Sequence, residues 1–146
     1  MFEINIPDDF MNELLNTNVD DVCKTALTDS APMIEETMKT TIRNSIKHPD
    51  MSTGELVDSI KADKPKKIKG AWVIKVMPRG NSQHYYYNRQ NIIPRRYACS
   101  NAFKLIMMEY GNSRQSPTPV LDKIYRECNE KVLDKLQETY NRMAGV

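Results

Sequence analysis

Two histidines and three cysteines are the side chains best suited to acid–base, nucleophilic or metal chemistry, and their placement argues against all three. His48 is followed at once by Pro49 and Asp50 at the end of a helical pattern, where a protonated imidazole would complement the helix dipole. His84 precedes Tyr85, Tyr86 and Tyr87 and could act as a base or ligand, yet no H-x-x-x-H, H-E-x-x-H or H-x-E…C-x-x-C pattern accompanies it. A surface or interface histidine is the simpler reading. Cys23, Cys99 and Cys128 are odd in number and widely spaced, with no C-x-x-C pair, so they read as reduced packing thiols, not as a disulfide framework or zinc site. The chain also lacks G-x-S-x-G, Walker and G-x-G-x-x-G motifs. The expectation is a protein that is not an enzyme and takes no cofactor or metal.

Binding is better represented. Between residues 84 and 97, Tyr85, Tyr86 and Tyr87 stand with Arg89, Arg95 and Arg96. Tyrosines can stack on bases while arginines neutralise phosphates; the same two residue types are enriched at the energetic centres of protein interfaces. The charge is sorted along the chain: residues 1–60 carry net −8, residues 61–104 net +10, and the remainder six charges of each sign. Such sorting suits either nucleic-acid contact by the basic part or subunits that dock with opposite signs facing. Lysines 61, 64, 66, 67 and 69 have a third use, since charge on an edge strand discourages stray sheet pairing.

A rigid connection follows. In Glu109-Tyr110-Gly111 and the later Pro117-Thr118-Pro119-Val120-Leu121, each proline disfavours helical geometry in the residue before it, and Pro119 suits a first helical position. Thr118 is then the expected cap of a last helix starting at Pro119, with the apolar stripe Leu121, Tyr125, Cys128, Val132, Leu136, Tyr140 and Met143, broadened by Ile124 and Leu133.

The elements around these groups read as a single domain over residues 1–146. Residues 1–18 form an N-terminal arm and short helix, "FEINI" alternating like a strand and Pro7 opening a helix with Phe10, Met11, Leu14 and Leu15. A long helix over 19–48, capped by Asn18 with Asp20 and Asp21 in its first turn, carries Val22, Cys23, Ala26, Leu27, Ile34, Met38, Ile42 and Ile46 at steps of three and four. Pro32 predicts a kink or short break near Ser30. In the sheet-containing middle, 53–110, a capping box at Ser52 and Glu55 opens a short helix through Ile60 that buries Leu56, Val57 and Ile60. A hairpin turning at Lys69-Gly70 follows, its first strand edged or interrupted by Pro65, and residues 84–97 read as a loop or irregular strand pair. Ser100 caps a helix carrying Ala102, Phe103, Leu105, Ile106 and Met107 or Met108, with a strand as the competing reading, and Gly111 closes it. Residues 117–144 form the C-terminal helix. No 18-residue apolar run exists, so no membrane span is expected, and the acidic start "MFEINIPDDF" is unlike a secretory leader, which predicts cytosol.

The order Glu55-Leu56-x-x-Ser59-Ile60, Trp72 among alternating valines, Pro78-x-Gly80, Glu109-Tyr110-Gly111-x-Ser113, then Pro117-x-Pro119-x-Leu121 before a closing helix resembles the tail-completion and head–tail joining proteins of tailed bacteriophages. The similarity spans most of the chain. It implies an α+β fold, a small antiparallel β-sheet packed against a long N-terminal helix and a C-terminal helix. It further implies a non-catalytic virion protein that forms a ring with itself, commonly of six subunits, between tail tube and head connector, made in host cytoplasm before joining the virion. The family often has Phe after the second proline; here Val120 stands there. The interface expected on these grounds comprises Tyr85, Tyr86, Tyr87, Arg89, Arg95, Arg96, Glu109, Tyr110, Gly111, Pro117, Pro119, Val120 and Leu121, with the acidic helices of one subunit facing the basic segment of the next. The alternative is a small nucleic-acid-binding protein using residues 61–104, and a third is a small enzyme or toxin. DNA contact from within a ring ranks below the protein interface.

Overall fold

The computed structural model describes residues 2–4, 19–47, 54–88, 91–113 and 115–144. The short helix after Pro7, the Asn18 cap and Ser52 of the capping box lie outside the described residues, whereas the long helix ends at Ser45, short of the expected end at His48-Pro49, with residues 46 and 47 already outside it. The long amphipathic pattern forms helix α1, Val19–Ser45, and its stripe is buried as the spacing requires: Val22, Cys23, Ala26, Leu27, Ile34, Met38 and Ile42 all face the core. The helix runs through Pro32 without the expected break. Pro32 is exposed, whereas the residues around it, Ser30 and Ile34, are buried, so packing on the inner face outweighs one lost backbone bond on the outer. Hydroxyls of Thr28 and Ser30 donate back to the Lys24 and Ala26 carbonyls at 2.7 Å each.

Helix α2, Glu55–Asp58, is shorter than the sequence suggests and starts after Gly54 without a side-chain cap bond. Ile60 is fully buried, but it opens strand β2, Ile60–Ala62, and does not close the helix. Strands β3, Lys66–Ile68, β4, Ala71–Ile74, and β5, Val76–Pro78, complete a long antiparallel hairpin in which β2 pairs with β5 and β3 with β4. Pro65 interrupts it: residues 63–65 on one side face only 74–75 on the other, and the register changes by one residue there. At the tip both Lys69 (φ 50°) and Gly70 (φ 82°) have positive φ, the two-residue turn whose twist suits a hairpin. The N-terminal strand β1, Phe2–Ile4, adds to β4, giving the order β1-β4-β3.

The third strand pair is β6, Asn81–Asn88, with β7, Asn91–Ser100, irregular near Tyr86 to Asn88. It is hydrogen-bonded to no other described strand. Helix α3, Asn101–Tyr110, follows directly, and helix α4, Leu121–Ala144, ends the fold. Helices α1 and α4 pack antiparallel, with Thr41 Oγ1 donating to Glu127 Oε2 (3.2 Å) and Arg142 meeting Asp29 (3.0 Å) near the other end. Their apolar faces meet those of Val57, Ile60, Ile74, Leu105 and Met108 in one core, so the class is α+β with small antiparallel sheets.

The start of α1 is tied to the hairpin by Asp20, whose Oδ1 accepts from Lys67 Nζ (2.8 Å) and Trp72 Nε1 (3.0 Å). Hydrogen bonds from Lys67 and then Trp72 hold the carboxyl below the ordinary aspartate value of 3.8. A depressed folded pKa contributes stability that is whole above the unfolded value and fades as pH falls below it. Stability followed through Trp72, the single tryptophan, should therefore decline below about pH 4, and Asp20→Asn should flatten this part of the acid limb.

Candidate functional site: a braced joint between two helices

The connection from α3 to α4 is held by backbone and side-chain hydrogen bonds at both ends. Ser100 caps α3, its side chain accepting from Phe103 N at 3.4 Å. At the far end Gly111 N donates to Met107 O (2.8 Å), and Gly111 adopts φ 73°, ψ −178°, a region essentially reserved for glycine. The extended ψ turns the chain out into a tight excursion, closed by Asn112 N to Gln115 O (2.9 Å) and Gln115 N to Asn112 Oδ1 (2.9 Å). The excursion returns so close that a Cβ on Gly111 would lie 2.7 Å from both Gln115 O and Pro117 N.

Glu109 then does what Thr118 was expected to do. Its Oε2 accepts from Val120 N (2.8 Å) and Leu121 N (3.2 Å), and the first helical bond of α4 is Ile124 N to Val120 O (2.9 Å). The helix thus begins two residues after Pro119, and a carboxylate from the preceding helix satisfies its first free amides and complements its dipole. Thr118 is instead held through its backbone, N to Met108 O at 2.8 Å, while its Oγ1 is buried with no hydrogen-bond partner among the described residues. A thermal melt of Thr118→Val should accordingly show equal or higher stability, by about 1 kcal/mol, where a true cap would lose as much. Glu109→Ala should cost about 2 kcal/mol, and Glu109→Gln, which keeps one acceptor oxygen, roughly half of that.

Of the residues expected at an interface, the joint unites Glu109, Gly111, Pro117, Pro119, Val120 and Leu121, yet several are structural. Val120 is 1% exposed and belongs to the core, so the smaller residue found here fills a buried first turn. Tyr110 is 73% exposed and, with residues 111–113 and 115–117, lines a shallow cleft of about 400 Å³. Tyr85, Tyr86, Arg95 and Arg96 sit on the β6–β7 ladder, Tyr85 opposite Arg96 and Tyr86 opposite Arg95; Tyr87 lies at the irregularity. Arg89 and the side chains of this tract, His84 included, lie outside the described residues. The tract resolves as the strand-pair option, away from the joint along the chain and connected to it through α3.

The base of that strand pair depends on residues the sequence did not single out. Asn101 is buried; its Nδ2 donates to Arg79 O (2.8 Å), its N to Gly80 O (3.0 Å), and its Oδ1 accepts from Ser82 Oγ (2.5 Å). Lys104 Nζ in turn donates to Ser82 Oγ at 2.5 Å. Pro78-Arg79-Gly80 is therefore the anchorage of α3, and only its turn-like composition hints at this.

The stripes of α3 and α4 are also corrected. On α3, Leu105 and Met108 are buried while Phe103, Ile106 and Tyr110, one row at steps of three and four, are 52, 52 and 73% exposed. The core row of α4 is Ile124, Cys128 and Val132, led by Val120 just before the helix; Leu121, Tyr125, Leu133 and Met143 are exposed because α1 covers only one side of the helix. All three cysteines are buried and none is in a disulfide, and burial pushes the Cys128 thiol up. Among the described residues no group of three His, Cys, Asp or Glu side chains could hold a metal ion, and no helix is long and apolar enough to cross a membrane. Compared with family models, curated proteins and solved structures, the chain matches none.

Proposed function

We propose that this chain is a structural virion protein of a tailed bacteriophage, acting in tail completion or head–tail joining as one subunit of a ring. The observation that carries the reading is the pair of exposed apolar rows, Phe103-Ile106-Tyr110 on α3 and Leu121-Tyr125-Leu133 on α4, on two helices linked by the braced joint. A ring closes through head-to-tail contacts between two unlike patches, and closure requires a fixed angle between them. Glu109, Gly111 and the two prolines supply that fixity. The second copy is the occupant these rows suit, since each copy offers one row to each neighbour.

Charge sorting has a smaller part than the sequence suggests. Asp20 already meets Lys67, Asp29 meets Arg142, and Glu35 accepts from Ala62 N (2.6 Å), so three acids of α1 are engaged within the subunit. Electrostatics then steers association while the apolar rows hold it. Infection in which this chain is not made tests the role: electron micrographs should show filled heads beside separate tails. Normally joined, infectious particles would refute it.

A further inference from the structure

The hairpin of β2 to β5 carries a basic surface apart from the exposed apolar rows of α3 and α4. Lys61, Lys64, Lys66, Lys69 and Lys75 are exposed, and none of their ammonium groups has an ion-pair or hydrogen-bond partner among the described residues. The neighbouring charges are spoken for: Lys67 meets Asp20, and Arg79 meets Asp63, the hairpin's single acid. Guarding a sheet edge accounts for only part of this set. Lys61 and Lys66 lie on the edge strands β2 and β3, but Lys64 is in the interruption beside Pro65, Lys69 is in the turn, and Lys75 is between β4 and β5. The basic side chains surround the hairpin.

We propose that this hairpin binds the phosphate backbone of double-stranded DNA without reading sequence. An exposed lysine gains only about 0–1 kcal/mol from one surface carboxylate, which is poor value for an acidic protein partner. Against a polyanion the same lysines each release condensed counterions, so five acting together give substantial affinity. Lysine is a point charge without the planar fork that reads guanine, and phosphate contacts alone carry no sequence information. The hairpin is therefore a non-specific electrostatic surface, and the claim stands independently of ring formation.

Fluorescence anisotropy of the full chain with a labelled duplex of about 30 base pairs tests it: five phosphate contacts predict a log K against log salt slope of about −4.5, roughly a 500-fold loss between ~50 and ~200 mM salt. The variant K61Q/K64Q/K66Q/K69Q/K75Q, with folding checked by circular dichroism, should lose most of that slope. Lys131→Gln, on exposed α4 surface, should leave it unchanged. Duplexes of unrelated sequence should bind alike. Absence of binding at the lowest salt, an unchanged slope in the five-lysine variant, or binding to polyglutamate but not to DNA would each overturn the inference. A chain that joins heads to tails but fails these tests sinks the DNA surface alone.

Discussion

Gly111→Ala should lower stability by about 3 kcal/mol and the melting temperature by roughly 10 °C, a large effect for one added methyl group. Two costs combine. The backbone at φ 73°, ψ −178° is open in practice only to glycine, and strain of this kind costs about 1–3 kcal/mol. The new Cβ would also sit 2.7 Å from the Gln115 carbonyl and the Pro117 nitrogen, both backbone atoms that no rotamer change can move aside. Relief requires the excursion to open, which pulls Val120 and Leu121 away from Glu109. Thermal and urea melts would measure the loss, and a variant as stable as the parent would mean that the joint is not braced as described.

Ile106→Asp should do the converse, leaving the subunit folded and abolishing its assembly. Ile106 is 52% exposed on the outer row of α3, so its replacement should change subunit stability by no more than about 0.5 kcal/mol. In the proposed ring the same change would bury an unpaired carboxylate in an apolar contact, costing about 2 kcal/mol or more at every interface, roughly 30-fold each. Multiplied around a ring, this predicts loss of infectious particles. Melts alongside particle counts check both halves; loss of folding, or normal particle yield, would contradict the placement of this row at an interface.

What the sequence disclosed depends on how far each device reaches along the chain. The α1 stripe was legible because Val22, Ala26, Leu27, Ile34, Met38 and Ile42 repeat at the helical period and all face one core. Lys69-Gly70 and Pro65 were legible because a turn and a strand interruption are set by the residues themselves. The cap of α4 was not, because the acceptor comes from Glu109 on another helix, while local reasoning could find only Thr118. Nor could periodicity tell which of two adjacent apolar rows on α4 meets α1: Leu121 and Tyr125 qualify by type as well as Val120 and Ile124 do, and only the tertiary partner chooses. Asn101 escaped notice for the same reason, its three anchors lying near residue 80.

Reconstruction of the head–tail junction in mature particles by electron cryomicroscopy tests the central claim most directly. The account predicts a closed ring of identical copies in which Phe103, Ile106 and Tyr110 of each are covered by its neighbour, with Glu109 still accepting from Val120 N and Leu121 N at the joint. A junction without this chain, or a ring in which that row of α3 faces solvent, would contradict it.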